Sequence, residues 1–228
     1  MIRSSQSQKK MSPPRRKIKS ALESNREYAQ TYHQSQEHIE VHPFLQPLLE
    51  KTSLQNIIDL GCGDGAIIDA IHRRYPEKSI MGVDLSEKRI RELQNRFSKL
   101  FFLCADVTNL PLKNQKYDLV ISNQVIEHVD DDQRMISEIK RLTEQGSYLF
   151  MTSVIKKRWA LYKFRNRLGK IVLDPTHEKE YSSPEEFERL FRDEFELEKM
   201  VFCPVKRKIF VTVTIPGYRE IYTLWRRK

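Results

Sequence analysis

From residue 56 onward the chain alternates short apolar runs with segments whose apolar residues recur every three or four positions. Asn56–Leu60 reads as a buried strand, and Ala66–Tyr75 as a helix stopped by Pro76. Ser79–Val83 predicts a second strand that ends at Asp84. Ser86 then offers an N-cap to a helix with Ile90, Leu93 and Phe97 on one face. Leu100–Ala105, which ends at Asp106, Tyr117–Ser122 and Ser147–Val154 predict three further strands. Asp130–Leu142 predicts a helix that turns Met135, Ile136, Ile139 and Leu142 inward. Such alternation implies an α/β fold with a parallel sheet and right-handed crossovers. The pattern pauses over residues 155–182 and resumes at Ser183-Pro184-Glu185-Glu186, a capping box with proline at the first helical position. That helix is expected to run to about Arg192. Glu196–Val205 and Ile209–Ile215 follow as two strands, separated by the basic turn Lys206-Arg207-Lys208 and close enough to pair antiparallel.

The chain ahead of this pattern reads differently. Residues 21–50 predict one or two helices broken by Pro43 and Pro47, with Tyr28 and Tyr32 one turn apart on a shared face, either packed in the core or forming a lid. Residues 1–20 are rich in Ser, Gln, Lys, Arg and Pro and are expected to be a disordered basic tail. Residues 21–228 would then form a single domain with a cap insert at about 155–182. No internal repeat is visible.

Composition sharpens this. The 228 residues suffice for one α/β domain and a small cap, and 39% hydrophobic with 31% charged residues fits a soluble protein. Apolar runs fall far short of the ~20 residues that cross a bilayer, and no secretory h-region follows the start. The three cysteines, Cys62, Cys104 and Cys203, form neither a disulfide framework nor a metal spacing, which points to a reducing cytoplasm. The +9 net charge is local. Residues 1–20 hold seven Lys/Arg and no acid, and Lys156, Lys157, Arg158, Lys163, Arg165, Arg167 and Lys170 form a second acid-free block. The remaining 26 cations face 31 acids.

The chemistry begins where the first strand breaks into Gly61-Cys62-Gly63-Asp64-Gly65. Alternate glycines permit left-handed dihedrals and let a ligand lie on bare main chain, at the end of the sheet where open α/β folds bind ligands. Gly61-x-Gly63-x-x-Ala66 with Asp84 downstream formally satisfies the dinucleotide fingerprint. Asp59 and Asp64, however, flank the glycines and would repel a pyrophosphate. S-adenosylmethionine carries a sulfonium and an ammonium and no phosphate, so an acidic glycine loop suits it better.

The motifs together resemble the class I S-adenosylmethionine-dependent methyltransferases of the small-molecule type, in the branch that includes the ubiquinone-pathway O-methyltransferases. The resemblance spans roughly residues 50–215. It rests on Asp59-Leu-Gly-Cys-Gly-Asp-Gly65, Gly82-Val-Asp-Leu-Ser86, Ala105-Asp106 before Leu110-Pro-Leu112, and Tyr117-Asp-Leu-Val-Ile-Ser-Asn-Gln-Val-Ile-Glu-His-Val129. It implies a Rossmann-like, seven-stranded, mostly parallel sheet with an antiparallel last strand, helices on both faces and a small substrate-cap insert. It also implies roles. Gly61, Cys62, Gly63 and Gly65 would approach the methionine moiety, and Asp59 its ammonium. Asp84 would hold the ribose hydroxyls, Leu85 would pack on the adenine, and Asp106 with the backbone of Val107 would meet the adenine edge. Asn123 and Gln124 would line the methyl-transfer opening.

Histidine titrates near neutrality, which makes His128 a candidate base. In some relatives a Glu-x-x-Glu-His pattern holds a divalent metal; Gln124 replaces its first glutamate here, and no metal is expected. His177 is a second candidate catalytic residue, and Tyr32, Tyr162 and Tyr181 are candidate substrate contacts, with core packing the other reading of His177 and Tyr181. The basic, aromatic stretch 156–181 suits an oxygen or nitrogen nucleophile on an anionic or amphiphilic small molecule, lipid-linked ones included, or contact with a membrane surface. Two alternatives stand beside this: an RNA methyltransferase, and a non-catalytic basic binding module on the same fold.

Overall fold

The protein is described by a computed structural model over residues 20, 23–24, 26–27, 39–114, 116–161, 163–208 and 212–228. The basic tail before residue 20, Tyr28, Tyr32 and Tyr162 lie outside the described residues.

The five parallel strands form where the sequence predicts them: β1 (Asn56–Leu60), β2 (Ser79–Asp84), β3 (Phe101–Cys104), β4 (Leu119–Asn123) and β5 (Tyr148–Lys156). The last two strands are much longer than expected. β8 (Phe195–Lys208) contains the basic triplet that the sequence suggests as a turn, and β9 (Thr212–Arg227) runs on through Pro216 and Gly217. The sheet order is β3-β2-β1-β4-β5-β9-β8, seven strands, with β9 antiparallel to both neighbours. Pro216 and Gly217 are accommodated because they fall beyond the end of the β5 pairing and beside a register shift between Pro204 and Lys206, where no ladder hydrogen bond is required of them.

Period-2 alternation on buried strands sends neighbouring side chains to opposite faces. Ile58, Leu60 and Val120 thus pack with Met135, Ile136 and Ile139 of α4 (Asp132–Leu142) and Phe187 of α5 (Pro184–Glu188). Ile57, Ile80, Leu119 and Ile121 pack on the other face with α1 (Gln46–Leu49), Ile68 and Ile71 of α2 (Ala66–Arg74), and Ile90 and Leu93 of α3 (Glu87–Arg96). Pro47 lies in the first turn of α1, where its missing N–H costs nothing, and so helps start a helix instead of breaking one. Ser86, Asp131 and Ser183 cap α3, α4 and α5 with their side-chain oxygens.

Residues 157–180 leave the sheet after β5 and return at an isolated parallel bridge between Ile155 and Tyr181. They carry a two-stranded ribbon of β6 (Phe164–Arg165) and β7 (Ile171–Val172). A third apolar cluster, Val154, Ala160, Leu173, Val205, Ile215 and Tyr218, fastens this insert to the projecting ends of β8 and β9.

Candidate functional site

The carboxyl ends of β1, β2 and β4 meet at the glycine loop. Gly61 and Cys62 donate their N–H groups to the Val83 carbonyl at 2.7 and 2.8 Å, which folds the loop over the end of β2. Gly61, Gly63 and Gly65 have φ of 80°, 59° and 78°. A Cβ on Gly61 would come within 2.3 Å of Val125 Cγ2, whereas one on Gly63 would meet nothing within 4 Å among the described residues. The first glycine therefore permits close packing, and the second leaves the main chain bare on its open side.

Two carboxylates occupy this end of the sheet. Asp84 Oδ2 accepts the Gly63 N–H and Oδ1 the Ser86 N–H, both at 2.9 Å, with Arg89 Nη1 3.8 Å from Oδ2. Burial raises its carboxyl above the usual range, and these donors with the Arg89 charge pull the other way. Asp59 is 1% exposed, and neither of its oxygens has a hydrogen-bond partner among the described residues. Burial, and then the charge of Asp84, push it up to about 7. A buried carboxylate without donors is costly, so the site is short of one cationic donor beside the loop. This is the requirement that an ammonium-bearing cofactor such as S-adenosylmethionine would meet, and the donor set fits it.

The other expected cofactor residues lie around this pair. Cys62 is buried, and its thiol is pushed up by burial and the two aspartates. Leu85 is half-buried beside Asp84. Asp106 turns one oxygen on Thr108, accepting its N–H and hydroxyl at 2.9 and 2.8 Å, and Val107 is buried behind it. Asn123 and Gln124 are held by Thr152, a residue that sequence reasoning missed. Its hydroxyl donates to Asn123 Oδ1 at 2.8 Å and accepts the Gln124 N–H at 3.0 Å. Gln124 sits at φ 57°, a strained conformation for a residue other than glycine, at the expected methyl-transfer opening.

Next to it, the single turn Ile126–His128 places Glu127, His128 and His177 together, with one ligating atom from each within 4.8 Å of the others. Glu127 Oε2 accepts from Ser153 Oγ at 3.0 Å; its Oε1 is unpartnered among the described residues, and burial raises its carboxyl. His128 and His177 meet edge to face, with centroids 4.8 Å apart. Burial, and then the His177 charge, push His128 down to about 4. Burial also lowers His177, but its 2.7 Å contact with Glu180 Oε1 and the nearby Glu127 charge carry it above the ordinary value. Tyr181 has no exposed surface. It packs on Phe187 and donates its hydroxyl to Asp132 at 3.3 Å, so the structure places it in the core.

Sequence reasoning also missed Ser153, Asp174, Thr176 and Glu180. Thr152 and Ser153 did leave a signal, two polar residues in mid-strand of an otherwise apolar run.

Residues 58–151, the segment that carries the loop and both aspartates, match a family model described as a methyltransferase domain. An uncharacterized methyltransferase of Mycobacterium tuberculosis is 30% identical over 103 residues, which cover 44% of this chain and 51% of that protein. A ubiquinone biosynthesis O-methyltransferase of Coxiella burnetii is 29% identical over 104 residues, covering 44% of each. The chain thus matches about half the length of these curated relatives. Geranyl diphosphate C-methyltransferase from Streptomyces coelicolor, solved with Mg2+, geranyl diphosphate and S-adenosyl-L-homocysteine, shares the fold with a TM-score of 0.67 and 14% identity, over 93% of this chain and 100% of that one.

Proposed function

We propose that the chain, whose residues 58–151 match a methyltransferase-domain model, transfers the methyl group of S-adenosylmethionine to an oxygen or nitrogen nucleophile on an anionic or amphiphilic small molecule. The observation that carries the cofactor half of this reading is Asp59, buried beside the glycine loop with both oxygens unpartnered among the described residues.

When bound, the cofactor supplies a methyl group already activated on a sulfonium. The protein's task is to bind and align, which can replace much of the entropic barrier. Asp59 would pair with the ammonium, and Asp84, with two acceptor oxygens, would hold the ribose hydroxyls in place of its present N–H donors. Asp106 and Val107 would meet the adenine edge, and Leu85 its face. Asn123 and Gln124, fixed by Thr152, would shape the opening, and His128 would take the nucleophile's proton.

The acceptor class is argued from the insert. Trp159 and Leu161 are 63% and 74% exposed, and Phe164, Leu168 and Ile171 also face outward. Lys157, Arg158, Lys163, Arg165 and Lys170 alternate with them, and none forms an ion pair with an acid among the described residues. Apolar and cationic side chains so interleaved suit an amphiphile with an anionic head, or a membrane surface that presents one. No helix among the described residues is long and apolar enough to cross a membrane. The lone cysteines fit a reducing, cytoplasmic setting.

Incubation with radiolabelled S-adenosylmethionine and a lysate separated into metabolites, lipids and RNA tests the proposal. Label is expected in the metabolite or lipid fraction. Label confined to RNA would select the RNA methyltransferase, and label nowhere, with no cofactor saturation, the non-catalytic binding module.

A further inference from the structure

Two residues of the insert, neither of them in the glycine loop, control one nitrogen of the candidate base. His128 Nδ1 lies 3.1 Å from Thr176 Oγ1 and 3.3 Å from the Thr176 carbonyl oxygen. Thr176 Oγ1 lies 2.7 Å from Asp174 Oδ1, which also accepts the Thr176 N–H at 3.0 Å. Over these contacts the protons can be placed in one way. A carboxylate has no proton to donate, so the Thr176 hydroxyl proton points to Asp174. A carbonyl oxygen can only accept. With the single hydroxyl proton already committed, both Thr176 oxygens present lone pairs to the imidazole, and His128 Nδ1 must carry the hydrogen.

We propose that Asp174 and Thr176 are positioning residues that lock His128 in its Nδ1–H tautomer, so that Nε2 always presents a lone pair to the acceptor's proton. The inference rests on the methyl-transfer reading for its catalytic meaning, though not for the tautomer itself. In the step concerned, the acceptor's O–H or N–H bond breaks and its proton goes to Nε2. The heteroatom's electron pair forms the bond to the methyl carbon, and the pair of the broken carbon–sulfur bond stays on sulfur. The resulting imidazolium is stabilised through the hydroxyl by the Asp174 carboxylate, and its proton then returns to water. A free histidine divides itself between two tautomers, and only one of them can act in this direction. The device also explains why Thr176, 48 residues away in sequence, is brought against the turn after β4. The Glu178 and Lys179 N–H groups both donate to the Glu127 carbonyl, at 2.8 and 3.2 Å, and pin the Asp174–Lys179 segment there.

Nitrogen-15 spectra of the imidazoles in the full chain, labelled at histidine and assigned by subtraction of a His128→Ala sample, read the tautomer directly and need no acceptor. The wild type is expected to show Nδ1 protonated and Nε2 unprotonated at neutral pH. Thr176→Val, which keeps the carbonyl but loses the hydroxyl, should lower the ratio of the two tautomers about tenfold or more, and Thr176→Ser should restore it. A wild-type His128 protonated on Nε2, or a Thr176→Val sample with an unchanged ratio, overturns the proposal. Titration calorimetry of the same samples with S-adenosylmethionine separates the two claims. No binding by a wild type that shows the expected tautomer would overturn the methyl-transfer reading and leave the lock standing. A wrong tautomer in a protein that binds the cofactor would do the reverse.

Discussion

Asp59 and Asp84 lie at the ends of adjacent parallel strands, and the charge of Asp84 is second only to burial in holding the Asp59 carboxyl at about 7. Asp84 is satisfied by two backbone N–H groups, and Asp59 by none among the described residues. The pair is thus asymmetric: one aspartate organises the loop, and the other remains an unmet demand for positive charge.

That asymmetry gives the first prediction. The folded-state value of Asp59 stands above its unfolded one. Its contribution to stability is therefore fully present below about pH 4 and is lost as pH rises toward 7, by up to a few kcal/mol. Asp59→Asn removes this penalty. The apo variant should melt several degrees higher than wild type at pH 8, by calorimetry, while binding S-adenosylmethionine at least tenfold more weakly. A variant that melts lower and binds equally well would refute the account.

Asp84→Ala should abolish measurable cofactor binding in titration calorimetry, because it removes the ribose acceptor and also frees the Gly63 and Ser86 N–H groups that the carboxylate now holds. Unchanged affinity would mean that the ribose is held elsewhere.

The glycines separate packing from access. Gly61→Ala drives a Cβ into Val125 as well as straining φ, so a loss of more than about 2 kcal/mol of stability is expected. Gly63→Ala meets no atom and should cost only the ~1–2 kcal/mol of a left-handed alanine. Denaturant melts should rank them in that order, with both binding the cofactor less tightly than wild type.

For His128, replacement by Ala should lower turnover about 10²-fold or less. Because the imidazole is pushed down to about 4, it is neutral throughout the physiological range, and the acid limb it causes should lie below pH 5. A separate limb near pH 7 belongs to Asp59, which must be ionised to pair with an ammonium. It should appear in kcat/KM for the cofactor and vanish from kcat at saturation. A limb at the ordinary histidine value in both parameters would contradict this assignment.

The insert's outer face is tested with vesicles. Wild-type protein should sediment with anionic vesicles and less so as salt rises, and the double change Trp159→Ala, Leu161→Ala should weaken binding about tenfold without altering cofactor affinity. Equal binding to neutral and anionic vesicles would remove charge from the argument.

What could be read in advance depended on sequence distance. The loop from Asp59 to Gly65, the Ser86 cap and the alternation through β5 are local patterns, and each formed as its own residues dictate. The length of β9 was hidden because Pro216-Gly217 looks like a stop, while the pairing of Tyr218–Arg226 with β5, some 70 residues earlier, carries the strand onward. Thr176 carried no site signal for the same reason, and Thr152 showed only as a polar interruption of an apolar run. Neither belongs to a local motif, and each acquires its partner only when β5 pairs with β4 or when the insert folds back. Tyr181 left two readings open in the sequence, acceptor contact and packing. Its aromatic, basic neighbourhood suggested a binding surface, whereas its bridge to Ile155 draws it into the core.

The insert is stitched down at both roots. Lys156 N–H donates to the Tyr181 carbonyl and Lys157 N–H to the Gly217 carbonyl, each at 2.7 Å, and a Cβ on Gly217 would come within 2.5 Å of Ala160 Cα. A flap that swung from those points would have to tear this seam and drag the edge hairpin along. The insert is therefore anchored at both ends to the edge hairpin of the sheet, a fixed part of the body and not a piece hung from a hinge.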